Sequence, residues 1–183
     1  MKTKKAFMLA GLSAVLLSFN SCKKDADDHN EEELITTIKL KFTEVGSSTS
    51  TTFTFKDIDG PGGAAPTLNE TITLAPSKQY NCEISVLNES VSPAEDITPE
   101  IITEAIDHQF YFEPTGVGIT VSNLSTDSRG LPLGITSRWA TGSTLATGTV
   151  KLTLKHKPGV KAAGDPVSKG ETDIEVNFGA RIQ

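Results

Sequence analysis

Apolar and polar residues alternate one by one along much of the chain between residues 34 and 183. Two clear runs are 150–155 (VKLTLK) and 174–178 (IEVNF). Because successive side chains of a strand point to opposite faces, this period predicts strands with one face in a core and the other in water. Further runs of the same kind lie at residues 34–42, 53–55, 72–74, 80–86, 110–112 and 117–121.

These runs, eight or nine in number, are separated by clusters of Gly, Pro, Asn, Asp and Ser. Strands at such spacing are typical of antiparallel folds. We therefore predict a mainly all-β fold, an antiparallel β-sandwich of about eight or nine strands. A small closed β-barrel has the same period and is the alternative. The 150 residues from 34 to 183 suffice for one hydrophobic core, so we assign them to a single β domain.

Residues 97–107 (ITPEIITEAID) break the alternation and predict one short helix near residues 98–107. Thr98 is a suitable N-cap, and Pro99 suits the first helical position. The apolar residues that fall on one face of this helix are Ile102, Ala105 and Ile106. We expect the helix to pack over one end of the sheets.

Residues 1–21 have the form of a secretory signal peptide. Lys2, Lys4 and Lys5 precede 12 uncharged residues, 6–17 (AFMLAGLSAVLL). This run is shorter than the ~20 residues that a membrane-spanning helix needs, and it matches the apolar centre of a signal peptide. We therefore predict that residues 1–21 direct export and are removed.

Ser21 and Cys22 at the end of this segment resemble the lipobox of bacterial lipoproteins, in which the cysteine is acylated and becomes the first residue of the mature chain. Phe19 and Asn20 depart from the stricter Leu-Ala-Gly-Cys form. Each buried methylene of a palmitate-type chain contributes ~0.8 kcal/mol, so two or three chains hold a protein at a membrane without a spanning segment. We predict lipidation at Cys22. Ordinary signal cleavage with a free thiol is the alternative.

Residues 22–33 are predicted to be the lipidated cysteine and a flexible acidic tether. The segment 23–33 (KKDADDHNEEE) has no apolar side chain larger than alanine, so it cannot bury enough surface to offset the entropy of ordering. Without the signal peptide the chain has 14 basic and 23 acidic side chains, a formal charge of −9. This charge disfavours nucleic acid as a partner and adsorption to anionic lipid head groups.

Several longer stretches resemble a family of small Bacteroidota lipoproteins. These are residues 55–66 (FKDIDGPGGAAP), 87–98 (LNESVSPAEDIT), 104–112 (EAIDHQFYF) and 170–178 (GETDIEVNF). The resemblance covers most of residues 31–183 and implies an outer-membrane lipoprotein with its domain in the periplasm or at the cell surface. Some family members are labelled as a type 1 periplasmic-binding fold. That two-domain α/β fold needs a longer chain than this sequence provides. It also needs repeated strand–helix units, which this sequence does not offer.

Two acidic turns contain candidate calcium ligands. Asp57 and Asp59 alternate in the glycine-rich segment 57–63 (DIDGPGG), and Asp127 begins a second turn that contains Arg129. Calcium takes about six to eight oxygen ligands, often from alternating acids in a loop that contains glycine. Asp57, Asp59 and Asp127 are therefore candidate ligands, and calcium is the one candidate cofactor. The alternative is that tight turns simply require Asp and Gly.

Other chemically reactive residues are expected to have structural roles. His108 and His156 lack the spacing of a metalloprotease helix and have no adjacent nucleophile motif. Cys82 lies on the apolar face of its strand and is expected to be a buried thiol. Trp139 shares an apolar face with Ile135 and is expected in the core. No catalytic residue is assigned.

The sequence therefore predicts a lipid-anchored envelope protein that acts as a non-catalytic binding or assembly module for an envelope protein or glycan. One alternative is a small envelope hydrolase that uses a carboxylate pair. Another is a lipocalin-like carrier of an apolar ligand, which requires the closed barrel.

Overall fold

The computed structural model describes residues 34–60 and 62–183, so the predicted signal peptide, Cys22 and tether lie outside the described residues. The described part has eleven strands and one helix. In chain order the elements are β1 (Thr37–Glu44), β2 (Ser50–Lys56), β3 (Leu68–Asn69), β4 (Ile72–Leu74), β5 (Gln79–Asn88), β6 (Glu95–Asp96), α1 (Thr98–Thr103), β7 (His108–Thr115), β8 (Ile119–Ser122), β9 (Thr136–Thr141), β10 (Ala146–His156) and β11 (Glu171–Ile182). Across this part of the chain we find no helix with the length and apolar character of a membrane span.

The strands form two sheets. The larger has the order β3-β2-β1-β5-β9-β8, with β6 also beside β5, and the smaller has the order β4-β11-β10-β7. Every pair is antiparallel except β4 with β11. The β-sandwich prediction is confirmed, and the closed-barrel alternative is wrong because neither sheet closes on itself. Nine strands have three or more residues, as expected, and β3 and β6 have only two each.

One apolar core fills the space between the sheets, and Trp139 in β9 contacts aromatic side chains of both sheets. The indole packs edge-on against Phe42 of β1, with 5.0 Å between ring centroids, and against Phe112 of β7 at 5.6 Å. The indole N–H donates a hydrogen bond to Ser137 Oγ at 2.9 Å, which satisfies its one polar atom. Trp139 and Cys82 are both buried, as predicted.

Helix α1 is shorter than predicted, and of the three residues predicted on its packed face only Ala105 packs against the core. Residues 104–107 form turns instead of continuing the helix. Ile101 is buried, with 2% of its surface exposed, whereas Ile102 and Ile106 are 50% and 42% exposed. Thr98 does not cap the helix with its side chain, because its Oγ1 accepts a hydrogen bond from the backbone N–H of Val86 in β5. This bond to the sheet replaces the expected local cap.

Candidate functional site

A group of polar side chains, most of them buried, lies at one end of the sandwich, where the turn after α1 meets the start of β7 and the end of β10. The chain that leaves β10 is bonded to this turn, since the backbone N–H of Lys157 donates to Asp107 O at 2.6 Å and that of Gly159 donates to Asp107 Oδ1 at 3.2 Å. We call this region the polar end. It contains Glu104, His108, Asp127, His156, Lys157, Lys161 and Asp173.

Lys161 and Asp127 form a buried ion pair in the polar end. Their Nζ and Oδ2 atoms are 3.0 Å apart, and both side chains are inaccessible to solvent. Burial would raise the pKa of Asp127, but the backbone N–H groups of Leu131 and Arg129 and the Lys161 ammonium lower it to about 2. Lys161 also donates to the carbonyl oxygen of Ala105 at 2.7 Å, which ties this pair to the turn after α1.

This pair bears on the calcium prediction at Asp127. The Lys161 ammonium already neutralises the carboxylate, and Arg129 Nη2 lies 3.4 Å from Asp127 Oδ2. A cation would have to displace Lys161 from a buried position. The structure therefore gives Asp127 a role in the ion pair and does not bring it together with Asp57 and Asp59.

Lys157 is a second fully buried lysine in the polar end. Its ammonium donates to Gln109 Oε1 at 3.1 Å and to the Tyr111 hydroxyl, and it lies 3.7 Å from Asp165 Oδ2. Burial lowers the pKa of Lys157 and raises the pKa of Tyr111 to about 12. These contacts attach the loop between β10 and β11 to the edge strand β7.

His108 and His156 face each other across the β7–β10 pair. Their rings are stacked, with 4.7 Å between centroids and 17° between planes. They continue the rows of core-facing residues in the two strands, after Phe110 in β7 and Leu154 in β10. The core therefore ends in two imidazoles at this end of the smaller sheet. Burial lowers the pKa of His108.

Two carboxylates adjoin the histidine pair. Glu104 Oε2 is 3.9 Å from His108 Nδ1, and Asp173 Oδ2 is 3.8 Å from His108 Nε2. Asp173 is the extra residue of a β-bulge, because Leu154 pairs with Ile174 and the next residue, Lys155, pairs with Thr172. A bulge of this kind redirects a side chain out of the regular alternation.

Glu104, His108 and His156 are the one group of three His, Cys, Asp or Glu residues in the described part of the chain whose ligand atoms all lie within 4.8 Å of one another. Sequence reasoning did not find this group. The two histidines are 48 residues apart along the chain, and the register that pairs them is not a local property.

Asp57 and Asp59 do lie beside each other in the loop after β2. Asp59 Oδ2 accepts a hydrogen bond from the backbone N–H of Ala64 at 2.7 Å, and Asp57 Oδ1 is buried without a hydrogen-bond partner. Burial and the adjacent Asp59 raise the pKa of Asp57, whereas the Ala64 N–H lowers the pKa of Asp59. Asp57 also lines a cavity of about 280 Å³ with Asn69 and Asn177. Calcium at this pair stays a prediction.

A polar groove of about 460 Å³ crosses the outer face of the larger sheet. Charged side chains of both signs line it, including Lys41 of β1, Glu83 of β5 and Arg138 of β9. Lys41 Nζ lies 3.2 Å from Glu83 Oε2, and both side chains are more than half exposed. Amide and hydroxyl groups complete the lining through Asn81, Asn123 and Thr136. Such a surface offers hydrogen-bond donors and acceptors to a polar ligand.

No protein-family model, curated protein or solved structure matches this chain. Its function is therefore inferred from its own residues.

Proposed function

We propose that this protein is a lipid-anchored envelope lipoprotein whose β-sandwich acts as a non-catalytic binding or assembly module. Cys22 carries the proposal, since Ser21 precedes it at the end of the apolar leader and the acidic segment 23–33 follows it. Acylation of Cys22 attaches the protein to the outer membrane. The tether then separates the membrane from the domain, which works in the periplasm or at the cell surface. The resemblance to small Bacteroidota lipoproteins supports the same location.

The polar groove supports the binding role. It lies on the solvent-facing side of the larger sheet, where Lys41, Glu83 and Arg138 present charges to solvent rather than to the core. The opposite face of the same strands is used for packing, through residues such as Phe42 and Trp139. The groove therefore can engage a polar partner, an envelope protein or a glycan, while the core stays intact.

The anchor is tested by growing the native host with an alkyne analogue of palmitate and comparing the wild-type protein with Cys22→Ala. We expect the label on the wild type and none on Cys22→Ala. Cys82→Ala is the matched control and should keep the label, because Cys82 is buried in the core. Mass spectrometry showing an unmodified Cys22 thiol, or an uncut leader, in material from the native host would contradict the proposal.

The binding role is tested with Lys41→Ala and Arg138→Ala. Each variant is presented to solubilised outer membranes from the host, and the captured proteins and glycans are quantified. Lys151→Ala is the control, because Lys151 lies in β10 of the smaller sheet and pairs with Glu113 at 3.0 Å. We expect capture to decrease in the two groove variants and to be unchanged in the control. Equal capture by all three would exclude the groove as the binding surface.

A second candidate function is a hydrolase that uses Asp57 and Asp59. The observation that favours it is that Asp57 Oδ1 is buried without a hydrogen-bond partner beside the cavity of about 280 Å³, whereas Asp59 Oδ2 accepts a hydrogen bond from the backbone N–H of Ala64 at 2.7 Å. These surroundings raise the pKa of Asp57 and lower the pKa of Asp59, as in a general acid beside a general base. Hydrolysis of envelope glycans by the wild type, lost in Asp57→Asn and Asp59→Asn but kept in the exposed control Glu95→Gln, would support it. No hydrolysis by the wild type would exclude it for those substrates.

A further inference from the structure

We propose that Glu104, His108 and His156 form a binding site for a divalent transition-metal ion, with zinc as the expected occupant. The site lies in the polar end, and the elements that build it are not those that line the polar groove. It does not depend on acylation of Cys22. Its basis is the convergence of three ligand atoms within 4.8 Å of one another.

The sheet register brings the two imidazoles together. His108 is the first residue of β7 and His156 the last of β10, and the antiparallel pairing places them directly opposite each other. Cross-strand neighbours of this kind have Cβ atoms ~4.5–5.5 Å apart, so both rings can reach one ion. Glu104 is joined to the pair by the turn after α1, because the backbone N–H of His108 donates to Glu104 O at 3.3 Å.

The donor set suits zinc. Two imidazole nitrogens and one carboxylate oxygen make a three-ligand zinc site with a fourth position open to water or substrate. Zinc–ligand bonds of ~2.0–2.1 Å place tetrahedral donors ~3.3 Å apart. The Oε2 of Glu104 and Nδ1 of His108, at 3.9 Å, are close to that separation. The stacked rings close on the ion by rotation about χ2, which is a soft torsion in histidine.

Asp173 supplies the outer support that metal-binding histidines usually have. Its Oδ2 is 3.8 Å from His108 Nε2, on the opposite side of the ring from Glu104 Oε2. With the metal at Nδ1, the ring proton lies on Nε2 towards this carboxylate, and closing the 3.8 Å separation to a hydrogen bond would orient the ligand and raise its basicity. The metal then replaces the present contact between Nδ1 and the Glu104 carbonyl oxygen, which is 3.2 Å long.

Charge and access also fit a cation. Glu104 and Asp173 place two carboxyl groups beside the pair, and the nearby ammonium of Lys161 is paired with Asp127 at 3.0 Å. The Glu104 side chain is 45% exposed, whereas that of His108 is 10% exposed. An ion therefore reaches the imidazoles from solvent past the carboxylate of Glu104.

The test uses the full mature protein, purified in detergent from its host and stripped with a chelator. Cobalt is added as a spectroscopic probe, and zinc is then titrated against a chromophoric chelator. We expect a visible absorption band typical of four-coordinate cobalt that zinc abolishes. We also expect zinc affinity to fall about tenfold or more in His108→Gln and His156→Gln, and about tenfold in Asp173→Asn.

Two further variants keep the test decisive. Glu104→Gln changes a half-exposed side chain, so the fold is kept and the cobalt band should weaken or shift. His29→Gln is the matched control, because His29 belongs to the acidic tether and should leave both readouts unchanged. The proposal is overturned if the wild type shows no cobalt band, if Glu104→Gln binds zinc like the wild type, or if His29→Gln abolishes binding.

Discussion

Lys161 Nζ lies 3.0 Å from Asp127 Oδ2, with both side chains excluded from solvent. The pair joins three segments of the chain, because Lys161 also binds the Ala105 carbonyl oxygen and Asp127 accepts hydrogen bonds from the backbone N–H groups of Arg129 and Leu131. Removing Asp127 leaves the buried Lys161 ammonium without a carboxylate, and removing Lys161 leaves the buried Asp127 with only Arg129 Nη2 at 3.4 Å. Either loss is more costly than losing an exposed pair. The polar end therefore depends on this contact.

Lys161→Met should lower the free energy of unfolding by about 3–5 kcal/mol, because the buried Asp127 carboxylate loses its buried partner and keeps only the partly exposed Arg129, whose Nη2 is 3.4 Å away. Urea denaturation followed by circular dichroism measures the change. Lys41→Met is the control, since its ion pair with Glu83 is exposed and should contribute less than about 1 kcal/mol. An equal decrease in the free energy of unfolding in the two variants would show that the buried pair contributes no more to stability than the exposed pair.

The same pair predicts how stability changes in acid. The pKa of Asp127 is about 2 in the folded protein against an ordinary value of 3.8, so the unfolded chain takes up a proton first as the pH falls. The contribution of Asp127 is complete above about pH 4 and is lost progressively between about pH 4 and pH 2. As the pH is lowered over this range, the urea midpoint of Asp127→Asn should fall less steeply than that of the wild type. Parallel pH profiles for the two proteins would contradict the prediction.

Trp139→Ala should lower the free energy of unfolding by about 3–5 kcal/mol, because the indole packs against Phe42 and Phe112 in the middle of the core. Leu145→Ala is the matched control, since Leu145 is 67% exposed and its truncation should change stability by less than about 0.5 kcal/mol. Both values come from chemical denaturation. A loss below about 1 kcal/mol for the tryptophan variant would argue against its position in the core.

The Cys82 thiol should not react with a thiol-specific reagent while the protein is folded. Burial raises its pKa, and only the thiolate is a good nucleophile. If Cys22 is acylated as proposed, protein from the native host should show one reactive thiol per chain in denaturant. Two reactive thiols in denaturant would mean that Cys22 is free.

Calcium should raise the melting temperature of the wild type if Asp57 and Asp59 bind it, because binding to the folded state alone stabilises that state. The shift should disappear in the double variant Asp57→Asn, Asp59→Asn and persist in Asp96→Asn, an exposed control. Differential scanning fluorimetry with and without calcium gives the comparison. The absence of a shift in the wild type would contradict the calcium prediction. Asp57 and Asp59 would then have either a structural role in the turn or the acid–base role of the second candidate function.

The sheets could be predicted because their signal is local. The runs 150–155 and 174–178 alternate residue by residue, and the structure buries Val150, Leu152 and Leu154 as that period requires. Helix α1 was less predictable, because Thr98 bonds to β5 and the chain turns after Thr103. Tertiary contacts decided its length and its buried face.

The polar end could not be predicted in the same way. His156 sits on the expected face of its strand, but only the β7–β10 register places it opposite His108. The bulge that directs Asp173 towards them leaves no clear mark in the alternation. Lys161 and Asp127 belong to separate loops, and charged loop residues are usually solvated. Long-range pairing created these contacts.

The one parallel pairing in the sandwich affects the order in which the chain can fold. Ile72 of β4 is opposite Ala180 of β11, so β4 cannot pair until β11, about 108 residues further along the chain, has been synthesised. Closing a loop of this length costs conformational entropy, which slows folding. Contacts between residues so far apart in sequence are typical of domains that fold in milliseconds to seconds. All strands of the larger sheet precede β10 in the chain, whereas the smaller sheet needs β11, so the smaller sheet is the one completed last during synthesis.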